Sequence, residues 1–403
     1  MSPQKECVLL RVTTLSVLAL VCVCVSSSAN PKLSGVLIFP VQAEHCHGSS
    51  VVQLPNGDLL AAWFQGSGER SANDVRINGA RLNAGADEWS PVFLMADTPN
   101  LPDCNPVLYL DSRDTLWLFW VRVVANRWED SILMYRRTQD YSGDSAPIWD
   151  WQDAITLLPG EAFAETLEAK LREARVDRGM WGEYAVPYSR MLVDAARDKR
   201  KRQTGWMTRI HPIELASGRM ILPLYSDGFN ISMTAISDDG GAIWRAGGPM
   251  VGAGPIQPTL AQRKDGTVVA YCRDSGPAPG RVQRAESKDE GQTWSITKDT
   301  DFPNPSSSLE VIVLEDGTWV MIHNDTVDGR HSLAVSQSDD EGNSWRWTRH
   351  LERGKRDESS FAYPSFIQTA DGMLHATYTY KNGPGGKAIK HSTFNVEWIK
   401  AGD

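Results

Sequence analysis

The phrase SDDGGAIW at Ser237–Trp244 returns as SKDEGQTW at Ser287–Trp294 and again as SDDEGNSW at Ser338–Trp345. All three fit S-x-D-x-G-x-[T/S]-W, except that Ile243 stands at the hydroxyl position of the first. Their aspartates, Asp239, Asp289 and Asp340, are 50 and 51 residues apart. A fixed period of that size means that one supersecondary unit is repeated and stacked on its neighbours. The chemistry within each phrase is that of a tight hairpin. Serine and aspartate side chains accept turn amides, the glycine tolerates positive φ, and the tryptophan is large enough to pack between adjacent sheets.

Short alternating segments fill most of the sequence after residue 36, among them Leu59–Phe64, Leu116–Val121, Arg219–Tyr225, Thr267–Tyr271, Trp319–His323 and Leu374–Tyr380. Many of them follow a hairpin dipeptide: Asn56-Gly57, Asp265-Gly266, Asp316-Gly317, Asp371-Gly372. Strand, turn, strand, strand and box hairpin make a four-stranded antiparallel blade, so the expected architecture is an all-β propeller. Weaker copies of the box, Asn83–Trp89 and Asp140–Trp149, keep the turn and the tryptophan. With a last blade around Met373–Trp398 closing on the N-terminal strand, the count is six blades over residues 36–403, with seven the alternative. The stretch 161–202 interrupts the pattern. Phe163, Leu167 and Leu171 recur at helical spacing, and Arg197-Asp198-Lys199-Arg200-Lys201-Arg202 ends it. It reads as a helical insert, either a solvated excursion or a wall over the propeller mouth.

The chain has 403 residues and a net charge of −9. That balance, with no basic tract outside the insert, argues against a nucleic-acid partner. Lys5 and Arg11, the apolar run Val17–Val25 and the small residues Ser27-Ser28-Ala29 form a secretory leader over 1–29. The run is short for a membrane span, so the expectation is a secreted or periplasmic protein, monomeric and without stable membrane insertion. After the leader, Cys46, Cys104 and Cys272 remain, which allows at most one disulfide. Their spacing suits no metal, and no cofactor fingerprint is present. Asn230-Ile-Ser and Asn324-Asp-Thr are glycosylation sequons.

A propeller gathers its inner strands round one axis, so chemistry is expected among polar residues at the starts of those strands and in the loops above them. Candidates are His47 in EHCHGSS, Glu69-Arg70 and Asp74, Arg209 and His211 in TRIHP, Arg273, Arg281, Arg330, and Tyr363 in SFAYPSF. With the boxes, these residues resemble the sialidase superfamily, in its BNR-repeat neuraminidase-like branch, over nearly the whole chain after the leader. The resemblance implies an exo-glycosidase in which arginines clasp a substrate carboxylate, an aspartate is the acid/base and a tyrosine attacks. It assigns Tyr363 as nucleophile, Asp74 as acid/base, Arg70 as a pocket arginine, and Arg281 and Arg330, six and eight residues before a box serine, as the second and third clamp arginines. Arg209 is a further substrate-binding candidate, with a strand-end cap the alternative.

Two positions depart from that pattern. His47 stands where the first clamp arginine belongs. Gln257, nine residues before the glycine of a DG turn, stands in place of the glutamate that polarises the tyrosine. A glutamine accepts no proton from a phenol, and a histidine clasps a carboxylate less firmly than a bidentate guanidinium. Three functions therefore compete, all with an acidic glycan as partner: a hydrolase of an acidic sugar, with sialic acid first; a uronate lyase using His47 or Tyr363 as base; and a binding propeller without turnover.

Overall fold

The computed structural model describes residues 30–175 and 182–403. The leader expected over 1–29, with its three cysteines, lies outside them. Six antiparallel sheets follow one another along the chain. Blade 1 comprises His45–Gln53, Leu59–Gly66, Arg76–Leu82 and Phe93–Ala96, and blade 2 Asp103–Leu110, Leu116–Arg122, Ile132–Thr138 and Trp151–Ala154. In blade 3 the inner strand is split into Met207–Thr208 and Ile213–Glu214, both paired with Met220–Ser226, and is followed by Ile231–Ser237 and Arg245–Ala246. Blade 4 runs through Pro255–Gln262, Val268–Asp274, Arg281–Ser287 and Lys298–Pro303, and blade 5 through Glu310–Val313, Trp319–His323, Ser332–Ser338 and Trp347–Arg353. Blade 6 holds Ser359–Gln368, Leu374–Asn382 and Ala388–Phe394, and its fourth strand is Leu33–Leu37 from the N-terminus. That strand begins before residue 36 because its register with Ala388–Phe394 starts at Leu33↔Phe394. The N-terminal strand completes the last sheet, leaving six blades and closing the ring.

Each full box joins the third and fourth strands of its blade. In the third, Ser338 Oγ donates to Asp340 (2.8 Å) and accepts the Gly342 amide (2.9 Å), while Asp340 also accepts Ser344 N (2.7 Å) and Ser344 Oγ (2.6 Å). These donors, the Ser344 hydroxyl first, hold the Asp340 carboxyl down at about 2. The first box lacks the hydroxyl, and Ile243 instead points outward, 71% exposed. The box glycines butt against the preceding blade. A Cβ on Gly241 would meet the Trp117 ring at 2.4 Å, and one on Gly342 the Tyr271 hydroxyl at 2.4 Å. The box tryptophans face the same way: Trp244 is edge-on to Trp117 and Phe119, and Trp345 to Tyr271 and Phe302. Buried Trp117 and Trp120 satisfy their indole N–H groups on Asp111 (3.0 Å) and Asp103 (2.8 Å). Each such ring removed from water stabilises the fold by about 2–3 kcal/mol.

The insert forms three helices, α1 (Ala162–Ala174), α2 (Gly182–Arg197) and α3 (Lys199–Gln203), between blades 2 and 3. It is packed rather than solvated. α1 buries Phe163, Leu167 and Leu171, and Phe163 meets Trp206 and Phe229 edge-on. The basic run is also partly structural: Asp198 caps α3, and buried Arg202 donates to Pro159 O (3.2 Å) and Arg197 O (3.0 Å) and pairs with Glu161. Among the described residues Cys46, Cys104 and Cys272 are all free and buried, so no disulfide links them. Asn324 is buried too, its amide donating to Ser332 O and Phe361 O, which leaves that sequon inaccessible in the folded chain. No helix among the described residues is long and apolar enough to cross a membrane.

Candidate active site

The inner strands of blades 1, 2, 4 and 6 break register at matching places, between His47 and Ser50, Cys104 and Val107, Ile256 and Thr259, and Ala362 and Ser365. At each bulge one residue takes positive φ: Gly48 (63°), Asn105 (52°), Gln257 (50°) and Tyr363 (56°). Three of the four precede a proline, Pro106, Pro258 or Pro364. Bulges re-aim side chains, and positive φ at a residue other than glycine is a strain that the surrounding fold must hold. Here all three side chains turn into one cavity of about 460 Å³, a volume suited to a small ligand.

Tyr363 is the centre of that cavity. Its hydroxyl accepts N–H groups from Arg273 (2.7 Å) and Gln257 (3.2 Å), and Gln257 Oε1 accepts a second Arg273 bond (3.3 Å). Arg273 is steadied by Ser306 Oγ at 3.1 and 2.9 Å. The Arg330 guanidinium stands 5.3 Å from the Tyr363 ring and donates to Ser306 O (2.7 Å). Arg209 lies 4.9 Å from the same ring, fully buried, donating to Ser49 O (3.2 Å) and to the carbonyls of Tyr363 and Pro364. Burial pushes the phenol up, but Arg273 and Arg330, with Gln257 and Arg209, outweigh it and hold Tyr363 below the ordinary tyrosine range. His47 packs its ring 4.1 Å from that of Tyr363 and bonds Thr379 Oγ1 through Nδ1 (2.7 Å). Burial first, then Arg330, drives His47 far below its usual value, so it is neutral.

The expected site residues are thus divided by the fold. Tyr363, His47, Arg330 and Gln257 line the cavity, and Arg209 buttresses Tyr363 from behind. Arg281 does not reach it: its Nη1 donates to Asp301 O (3.1 Å) at the exposed edge of blade 4. Asp74 is an exposed turn residue, bound to Ser67 N and Ser67 Oγ (2.8 Å). Arg70 is exposed at the rim, 5.6 Å over the Trp128 ring. The blade 4 arginine at Tyr363 is Arg273, which the spacing from the box passed over. The x-Pro dipeptides at the inner strands were the readable signal for the bulges, and Asn105-Pro106 belongs with them. Asn105 lines the cavity and donates to Tyr225 Oη (3.1 Å). Glu69 and Asp227 are the carboxylates on the wall, and Trp128 and Asn230 complete the rim.

Two guanidiniums beside a phenol suit a ligand with a carboxylate, which bidentate arginines bind best. Among the described residues no group of three or more His, Cys, Asp or Glu is arranged to hold a metal ion.

A family model described as a BNR repeat-like domain matches residues 57–169 and 200–376. No protein of curated function matches in sequence. Among solved structures, the chain is similar to the Hadza microbial sialidase Hz136 (14% identity, 91% of this chain and 69% of that one, TM-score 0.67). It is also similar to a protein of unknown function from Dyadobacter fermentans (14%, 90% and 99%, TM-score 0.64). A third is the intramolecular trans-sialidase of Ruminococcus gnavus in complex with oseltamivir carboxylate (14%, 89% and 96%, TM-score 0.64). At such identities the likeness is one of fold. By its family match, which spans more than half of its residues, the chain belongs to the BNR repeat-like family.

Proposed function

We propose that the chain is an exo-acting glycoside hydrolase for a terminal sugar that carries a carboxylate, sialic acid being the first candidate. Arg273 and Arg330 bind the carboxylate, and the Tyr363 phenolate attacks the anomeric carbon to form a glycosyl–enzyme bond that water then breaks. The observation that carries this reading is the Tyr363 hydroxyl accepting two N–H donors, one from Arg273 at 2.7 Å, inside a monosaccharide-sized cavity. Gln257 takes no proton, so phenolate is favoured by fixed positive charge rather than by a neighbouring base. A leader-like N-terminus is in keeping with a glycoconjugate substrate outside the cell.

The test is release of 4-methylumbelliferone from its sialoside. Wild type is expected to turn over and Tyr363→Phe is not, and a 3-fluorosialosyl fluoride is expected to add its mass to the peptide holding Tyr363. An inert wild type would falsify the reading. A second reading, uronate elimination, draws on neutral His47 beside Tyr363, two proton-transfer groups next to two guanidiniums. It predicts an ultraviolet-absorbing unsaturated product from glucuronate polymers and none from sialosides. Saturable binding of acidic glycans with neither product would make the propeller a binding module.

A further inference from the structure

Two carboxylates line the cavity, and the ring places them differently with respect to Tyr363. Glu69 comes from the loop after the second strand of blade 1, next to the Tyr363 blade. Asp227 comes from the matching loop of blade 3. In a closed ring of six, blade 3 lies across the axis from blade 6, so Asp227 faces Tyr363 from the opposite wall. A nucleophile and the proton donor to its leaving group must flank the anomeric carbon from opposite sides.

We propose that Asp227 is the proton donor to the leaving oxygen. The assignment rests on the hydrolase reading above and supplies the acid that Asp74, outside the cavity, does not. The environments of the two carboxylates differ in the same sense. Glu69 stands 3.4 Å from His45 Nε2, and that contact first, then Lys387 and Arg70, keeps it ionised. Crowding by protein raises Asp227 despite the nearby Arg273 and Arg70, although one side opens to the cavity. A bound sugar closes that side and strengthens the effect. Carboxylates whose surroundings push them apart divide the roles of acid and anion.

The loop bearing Asp227 is held from behind by the insert. Phe229 stacks on Trp206 (5.7 Å, 11°) and takes the edge of Phe163 from α1, and Tyr188 of α2 hydrogen-bonds Asn230. The helices therefore position the donor rather than touch substrate. In the reaction, the Tyr363 oxygen bonds to the anomeric carbon as the carbon–leaving-oxygen bond breaks, and the Asp227 proton moves to that oxygen. The resulting carboxylate then takes a proton from water as water displaces Tyr363, which leaves as phenolate.

The experiment compares two sialosides, one with a methylumbelliferyl leaving group and one with a sugar alcohol leaving group, on wild type, Asp227→Asn and Tyr188→Phe. General-acid assistance is worth roughly 10²–10⁴-fold and matters most for the poor leaving group. Asp227→Asn is expected to slow sialyl-lactose cleavage by at least about 100-fold while release of methylumbelliferone changes far less. Tyr188→Phe is expected to show a weaker effect with the same leaving-group dependence and an unchanged KM. Equal losses on both substrates, or no loss, overturn the assignment. A wild type inert on both overturns the hydrolase reading and this assignment with it, whereas an active wild type with an indifferent Asp227→Asn overturns the assignment alone.

Discussion

Replacing Arg273 by methionine removes a guanidinium that donates to the Tyr363 hydroxyl at 2.7 Å, while keeping an unbranched apolar stem of similar length. With charge centres about 4 Å apart and an effective dielectric near 20, that charge stabilises the phenolate by about 4 kcal/mol. At 1.36 kcal/mol per factor of ten, the phenolate population at fixed pH falls by about a thousandfold. Arg330 and Gln257 remain, but burial, the largest influence on this phenol, is then less opposed. The readout is phenolate absorbance against pH, with the Tyr363→Phe curve subtracted so that the other tyrosines cancel. Wild type should show one ionisation below the ordinary tyrosine range, and Arg273→Met should move it above that range while melting remains cooperative. Arg281→Met should leave the curve in place, because Arg281 turns outward to Asp301 O. Superimposable wild-type and Arg273→Met curves, or a displacement in Arg281→Met, would refute the reasoning.

Gly241→Ala should destabilise by about 2–4 kcal/mol, from a Cβ 2.4 Å from the Trp117 ring added to a φ of 81°, whereas Gly218→Ala, with the same φ and open space, should cost about 1 kcal/mol; equal denaturant midpoints would contradict this. Buried His323 and half-buried His375 are depressed to about 4 and buried His391 to about 3, in each case chiefly by desolvation. Folded values below the unfolded 6.5 mean that the unfolded chain binds protons first as pH falls. The stability is therefore present above about pH 6.5 and lost toward pH 4, at up to about 4 kcal/mol per unit for the three together; urea midpoints that are flat between pH 7 and pH 5 would exclude it. Burial pushes the Cys46 thiol up to about 12 and raises Cys104 and Cys272 as well. A chain starting at residue 30 should therefore take up no thiol reagent when native and three equivalents in denaturant, and native labelling would show that the core opens.

The boxes and the DG turns were legible because their chemistry is local. Asp340 satisfies amides within four residues of itself, and Gly57, Gly266 and Gly317 adopt positive φ inside their own hairpins. The helical spacing of Phe163, Leu167 and Leu171 was equally plain, but what it packs on, Trp206 and Phe229, was not. Tyr363, His47 and Gln257 were reached through short motifs on inner strands, and Arg330 through its place eight residues before a box. Arg273 was passed over in favour of Arg281 because counting back from a box locates a strand without saying which way its side chains turn. The pairing Ile256↔Arg273, just before the bulge at Gln257, aims Arg273 at the axis. Asp74 failed as a cavity residue for a local reason: its carboxylate is consumed by Ser67 in its own turn.

The sequence by itself determined the repeating unit and its turns, since each follows from contacts among residues close along the chain; the choice of six blades over seven came with the N-terminal strand pairing into the last sheet. Tertiary structure alone decided which charges meet. Arg209, Arg273, Arg330 and Tyr363 come from four blades, and Asp227 faces them only because six blades close into a ring with the N-terminal strand in the last sheet. The electrostatic field at Tyr363 depends on distances of a few ångströms between residues up to 154 positions apart. Those distances are fixed by bulges and ring closure, and no local pattern encodes them.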